Sequence, residues 1–166
     1  MEKTEHKVLV ANRGEIAVRI VQACRKLGLE FVCVHTAEDI HSGHVRIAKE
    51  LGGEKSLYQV SSYHDANEIL SVADDAGATA IHPGYGFAED FRFARRVTTR
   101  ERKLIFIGPS WRVIRELGDK INTKRLARSL GVPTVPGSDR PIYDEMEAEK
   151  IARSLYDFQL QQGITR

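Results

Sequence analysis

Five short apolar runs alternate along this chain with stretches whose apolar residues recur at helical spacing. That alternation restricts the fold more than any other property. The runs are KVLVA (7–11), FVCVH (31–35), SLYQV (56–60), ATAIHPG (78–84) and KLIFIG (103–108). Each is too short for a helix and is bounded by turn-forming residues, so each reads as a strand. None alternates strictly between apolar and polar, which is the pattern of strands covered on both faces. Between the first two runs, Ile16, Ala17, Ile20, Val21, Cys24 and Leu27 form an apolar helical stripe. Arg19, Gln22, Arg25 and Lys26 fall on the other side, and Gly28 is the stop signal. Further helices are predicted within 38–53, within 61–78 with Ser/Asp cap candidates and a stop at Gly77, and within 90–102. Strands alternating with helices give βαβ units, hence an α/β fold with a parallel sheet and helices on both faces. Ligands of such sheets gather at the carboxyl ends of the strands, which here aligns 12–15, 35–36, 82–87 and 108–111 along one edge.

Past the fifth run, SWRVIRELG and DKINTKRLARSLG read as two helices parted at Gly118, VPTVPGSDRP as a linker, and DEMEAEKIARSL as a final helix. A length of 166 residues suits one domain or slightly more. The net charge of +2 names no partner. No apolar run approaches the roughly 18 residues of a membrane span. The opening MEKTEHK is polar and mixed in charge, unlike a signal peptide, so a cytoplasmic chain without a membrane partner is expected. Cys24 and Cys33 are expected as reduced core thiols, since two cysteines make no disulfide framework here.

The turn ANRGEI follows the first strand where dinucleotide-binding folds place G-x-G-x-x-G, yet it holds a single glycine. Asn12 is a candidate cap for the following helix, and Glu15 suits its positive end. A scaffold turn competes with a phosphate site. A dinucleotide-dependent oxidoreductase is further disfavoured after the second strand, where Glu38 and Asp39 come too late to meet a ribose. IHPGYGF (81–87) is a rigid loop in which Pro83, Gly84 and Gly86 restrict the backbone and Tyr85 and Phe87 add aromatic bulk. It either lines a cleft or packs against another domain. His82 reads as a structural histidine, and His41 with His44 are too few for a metal site. Lys120 lies early in a helix, where the dipole disfavours a cation; a phosphate partner or plain solvation both account for it. Residues 92–103 hold six basic residues and one acid, but no interleaved aromatics follow. A solvated helix face is favoured there over a nucleic-acid surface.

Taken together, VLVANRGEIAVRIVQACRKLG, AIHPGYGF, FIGPS, LGDK and GVPTVPGSD, in this order over residues 7–141, resemble the N-terminal domain of biotin carboxylase. Biotin carboxylase is the ATP-grasp component of acetyl-CoA, propionyl-CoA, methylcrotonyl-CoA and pyruvate carboxylases. HVRIA and the tyrosine of SSYHD also fit. The resemblance implies a Rossmann-like, pre-ATP-grasp domain over 1–141, with a linker and terminal helix over 142–166. Complete enzymes of the family are ligases that use ATP, Mg²⁺ and bicarbonate to carboxylate biotin on a carrier protein. Their lid, metal glutamates, base and bicarbonate arginine lie downstream of the matched region.

Of the family's ligand positions, the resemblance transfers one: Lys120, which matches a lysine contacting ATP phosphate. The chain by itself is therefore expected to be catalytically incomplete, truncated before the ATP-grasp domain and unable to hold ATP, Mg²⁺ or biotin tightly. Implied partners are the biotin carrier, the carboxyltransferase and further carboxylase domains, with no nucleic acid. A homodimer through the first helix is also implied, because Arg19 matches an interface arginine. Gln22 and Lys26 depart from the family's arginine and glutamate, which weakens the ion pairs of that dimer. GFAEDF departs from Gly-Phe-Leu-Ser-Glu-Asn, and Ala48-Lys49-Glu50 stands where Ala-Asp-Glu is usual. The alternative to an enzyme domain is a non-catalytic assembly subunit of a carboxylase.

Overall fold

The computed structural model describes residues 6–86, 90–138 and 140–161. Phe87, with the rest of 87–89, lies outside them. Two compact units divide the chain at Arg115 and Glu116.

The first unit contains strands β1 (Lys7–Val10), β2 (Glu30–His35), β3 (Leu57–Gln59), β4 (Ala80–His82) and β5 (Ile105–Phe106). Its helices are α1 (Gly14–Lys26), α2 (Gly43–Gly52), α3 (Ala66–Asp75) and α4 (Phe91–Thr99). Helix α5 (Trp111–Leu117) runs across the division. All strands pair in parallel, in the order β3-β2-β1-β4-β5.

The non-alternating apolar runs are explained by two separate core layers. Val8 and Val10 of β1, with Phe31 and Cys33 of β2, pack with Ala17, Ile20, Val21 and Cys24 of α1 and Ala48 of α2. The intervening Leu9, Val32 and Val34 pack with Ile69 and Ala73 of α3 and Phe93 and Val97 of α4. Successive strand residues point to opposite faces, so a sheet covered on both sides needs every position apolar. Cys24 and Cys33 are free and buried, and burial raises both thiol pKa values, Cys33 to about 12.

Helix ends follow local chemistry. Gly28, at φ 69°, closes α1: its N–H donates to the Arg25 carbonyl and that of Leu29 to the Cys24 carbonyl. This doubly bonded ending requires a left-handed residue at the glycine position. Leu27, expected on the apolar stripe, is instead 67% exposed, because it sits past the last turn as the C-terminal cap. Helix α3 begins at Asp65, whose carboxylate accepts from Asn67 N (2.8 Å) and Glu68 N (3.1 Å).

The second unit contains α6 (Lys120–Ser129) and α7 (Glu145–Gln161), the latter longer than the predicted 144–155. None of its described residues is buried. Leu130, Val135, Tyr143, Met146, Tyr156 and Phe158 are exposed. No helix among the described residues is long and apolar enough to cross a membrane.

Replacing the cap of α3, Asp65→Ala, is expected to lower stability by about 1 kcal/mol, read from the urea midpoint at unchanged slope. A midpoint equal to wild type would mean that solvent satisfies those two amides equally well.

Candidate functional site

The sheet order places the topological switch between β1 and β4. There the chain leaves β1 toward β2 on one side and β4 toward β5 on the other. In open parallel sheets this is where a ligand crevice forms. Here the crevice holds a side chain. Asn12, 1% exposed, directs its Nδ2 to the carbonyls of Pro83 (2.7 Å) and Tyr85 (2.8 Å), and its Oδ1 accepts from Arg13 N (2.8 Å). The expected helix cap at Asn12 is thus corrected. The residue at the cap position is Arg13, with no side-chain bond to the helix, while Asn12 joins the first turn to a loop 71 residues away. Glu15 does occupy the first turn of α1.

The same contact explains Gly84. Its φ is 60°, and a Cβ there would stand 2.4 Å from Asn12 Nδ2 and 2.8 Å from Ile16 Cγ2. Only glycine supplies both that backbone and that clearance. His82 has the structural role weighed for it: Nδ1 accepts from Gly84 N (3.1 Å), and burial lowers its pKa.

The start of α1 is also fixed from α2. His44 is fully buried, and its Nδ1 accepts from Ser42 Oγ (2.7 Å) and Gly14 N (3.3 Å). An Nδ1 that accepts two hydrogen bonds is unprotonated, so the ring is neutral with its proton on Nε2. Burial lowers the His44 pKa, against an opposing pull from the Asp39 carboxylate; the charges of His35 and Arg13 lower it further. Tyr63 Oη lies 3.5 Å from His44 Nε2 and donates to Asp39 Oδ2 (2.8 Å). Arg13 pairs with the same carboxylate at 3.6 Å. Burial alone would raise the Asp39 pKa, but the Tyr63 hydrogen bond and the charge of Arg13 outweigh it and hold it low. Arg13 and the Gly14 amide, the groups a phosphate would need at this turn, are therefore engaged within the protein. The sequence signal for this network was a serine two residues before a histidine at a helix start, which by itself names no partner.

The basic segment 92–103 is largely consumed by internal contacts. Arg96 Nη2 donates to Asn67 Oδ1 (2.6 Å), Arg92 lies 3.5 Å from Asp90, and Arg100 and Arg102 both pair with Asp74.

Lys120 is the first residue of α6 and is exposed. The amides of Ile121 (3.0 Å) and Asn122 (2.8 Å) donate to the cap residue Asp119. Among the described residues the Lys120 ammonium has no ion-pair partner. Arg19 is exposed on the outer side of α1, as are Gln22 and Lys26. Lys120 and the switch-point crevice belong to different units.

The family described as the N-terminal domain of biotin carboxylase matches residues 4–114. The chain belongs to this family. It is 44% identical over 150 residues to the 2-oxoglutarate carboxylase small subunit of Hydrogenobacter thermophilus, covering 90% of this chain and 31% of that protein. It is 46% identical over 152 residues to the biotin carboxylase of Pseudomonas aeruginosa, covering 90% and 33%. Among solved structures, the biotin carboxylase domain dimer of the H. thermophilus enzyme, in complex with MgADP, ADP and bicarbonate, superposes with a TM-score of 0.75 at 43% identity. That match covers 89% of this chain and 32% of the other. The chain thus spans about a third of the length of these relatives.

As a biotin carboxylase N-terminal domain, the first unit has the fold the sequence implied, with its switch point closed by its own side chain. Asn12→Ala, which strands two carbonyls, is expected to destabilise the chain by on the order of 3 kcal/mol in urea unfolding. A loss below about 1 kcal/mol would show that the Pro83 and Tyr85 carbonyls find other donors.

Stability should also fall in acid. His44 and His82 have native pKa values below the ordinary 6.5, so the unfolded chain binds more protons as pH drops through that value. The melting temperature is therefore expected to be level above about pH 7 and to decline below about 6.5, with His44→Gln flattening the decline. A wild-type melting temperature constant from pH 8 to 5 would contradict the neutral, buried state of His44.

Proposed function

We propose that this chain supplies the N-terminal domain of a biotin carboxylase, a ligase component that uses ATP and bicarbonate to carboxylate biotin on a carrier protein. The functional boundary lies near residue 141, followed by a linker and helix leading toward the ATP-grasp region. The observation that carries the reading is the contrast between the two candidate phosphate sites. The switch point of the sheet is filled by Asn12, whereas Lys120 stands exposed at the start of α6 and, among the described residues, without an ion-pair partner. Lys120 is assigned the contact with ATP phosphate. The family resemblance supports this assignment, as does the position, where a cation is otherwise unfavourable.

The chain's own residues offer one candidate phosphate contact, Lys120. Among the described residues no group of three or more His, Cys, Asp or Glu converges. When bound in the complete enzyme, ATP activates bicarbonate. The part played by this chain is to present the Lys120 ammonium and to hold the scaffold on which it sits. A single cation at an exposed helix start gives little affinity alone, so the isolated chain is catalytically incomplete.

A second reading, an assembly subunit of a carboxylase, has its own support. The second unit leaves Tyr143, Met146, Tyr156 and Phe158 exposed on or beside α7, as expected of helices that complete their packing against another body. Arg19 on α1 is the proposed contact for a homodimer, and the carrier and carboxyltransferase components are the proposed partners.

The test is a chimera in which residues 1–141 replace the corresponding segment of the H. thermophilus small subunit. Bicarbonate-dependent ATP hydrolysis is expected from the chimera and not from this chain alone. Lys120→Gln in the chimera should raise the KM for ATP by on the order of tenfold, the value of one lost charge-assisted contact. Hydrolysis by the isolated chain would overturn the claim of incompleteness. A folded but inactive chimera would favour the assembly subunit.

A further inference from the structure

Three guanidinium groups surround one indole on the surface of the first unit. The guanidinium carbons of Arg112, Arg95 and Arg115 lie 4.7, 5.3 and 5.5 Å from the centre of the Trp111 ring. Arg95 comes from α4, and the other two come from α5. All three arginines are exposed, while Trp111 is half-buried beneath them. By the triangle inequality no two of these charges are farther apart than about 11 Å, comparable with the roughly 8 Å screening length of physiological salt. Their mutual repulsion is therefore only partly screened.

The neighbouring arginines contrast with this group. Arg92, Arg96, Arg100 and Arg102 each meet a carboxylate or amide oxygen within the protein. Among the described residues, Arg95 and Arg112 meet no carboxylate; the partner of both is the indole. Cation–π attraction to the ring restrains each guanidinium. The result is a cationic patch in which, among the described residues, Arg95 and Arg112 meet no carboxylate, in a protein whose overall charge of +2 would not create such a patch by itself.

We propose that the Arg95–Trp111–Arg112–Arg115 cluster is a docking face for an acidic segment of a partner protein. Guanidinium edges match carboxylates in a bidentate fashion. Carboxylates two residues apart on an extended segment are about 7 Å apart, within the upper limit of about 11 Å on the separation of these guanidinium groups. Single-stranded nucleic acid is a poorer fit, because it needs an open aromatic face on which a base can stack. Here three cations crowd the only tryptophan of the chain. The inference does not depend on the carboxylase reaction, and its test reads binding alone.

Trp111 serves as its own reporter. The whole chain is titrated, with indole emission recorded, against a capped hexaglutamate peptide, inorganic tripolyphosphate and a mixed-sequence single-stranded DNA dodecamer. The expected result is a saturable change with hexaglutamate that weakens at least fivefold between 50 and 300 mM salt. The double variant Arg95→Gln/Arg112→Gln should weaken it by about tenfold or more, and Arg112→Lys, which keeps the charge and loses the fork, by an intermediate factor. Arg92→Gln, outside the cluster, should bind as wild type. Absence of a saturable change with hexaglutamate, or equal binding by the charge-retaining and double variants, would overturn the proposal. Tighter binding of tripolyphosphate or the DNA than of hexaglutamate would overturn it as well.

Discussion

The side-chain amide of Asn12 is the contact on which the rest of the first unit depends. It lies buried between adjacent strands whose connections diverge, and it donates to two carbonyls of the loop after β4. Without it the buried Pro83 carbonyl would lack a donor and the loop would lose its second tie, at the Tyr85 carbonyl. The amide also dictates its surroundings. It forces glycine at position 84, because any Cβ there would collide with it. Its oxygen holds the Arg13 amide, which directs the chain into α1. A crevice that in other open sheets admits a ligand has here become a joint. The sheet thereby acts as a support tied to its own loop at the switch point.

A second layer of polar contacts extends this joint to α2. Ser42, His44, Tyr63, Asp39 and Arg13 form a chain of hydrogen bonds and one ion pair between elements distant in sequence. Its buried member, His44, is neutral, so the network avoids a bare charge in the core and still satisfies the Gly14 amide. The charged ends, Arg13 and Asp39, lie toward solvent, where ions are less costly. The physical effect is a polar tie between the start of α1 and the start of α2, made through the His44 ring.

Much of the architecture was legible because strand and helix periodicities are local. All five apolar runs became strands, and the cap at Asp65 and the stops at Gly28 and Gly77 fell where their chemistry put them. Leu27 was misjudged since periodicity does not say where a helix surface stops being covered. Asn12 was misjudged for a more general reason. An asparagine before a helix satisfies a cap motif, but the same amide can serve a carbonyl anywhere in the molecule, and sequence spacing contains no information about a partner 71 residues away. The basic stretch, expected as a solvated helix face, instead places Arg96, Arg100 and Arg102 on Asn67 and Asp74, residues of another helix that spacing does not reveal. The gathering of Arg95, Arg112 and Arg115 around Trp111 was not legible either, because it joins two helices separated by a strand.

The sequence by itself determined the parallel α/β class, the positions of strands and helices, the family, and the position of Lys120 at a helix start. Each of these follows from hydrophobic period, turn chemistry or motif order within short windows. Tertiary structure decided what the turns are for. It closed the switch point with Asn12, neutralised His44, paired Arg13 with Asp39 and assembled a cationic cluster on Trp111. Those outcomes depend on which groups meet across the sheet, and a buried polar group takes whatever partner the fold brings within hydrogen-bond reach.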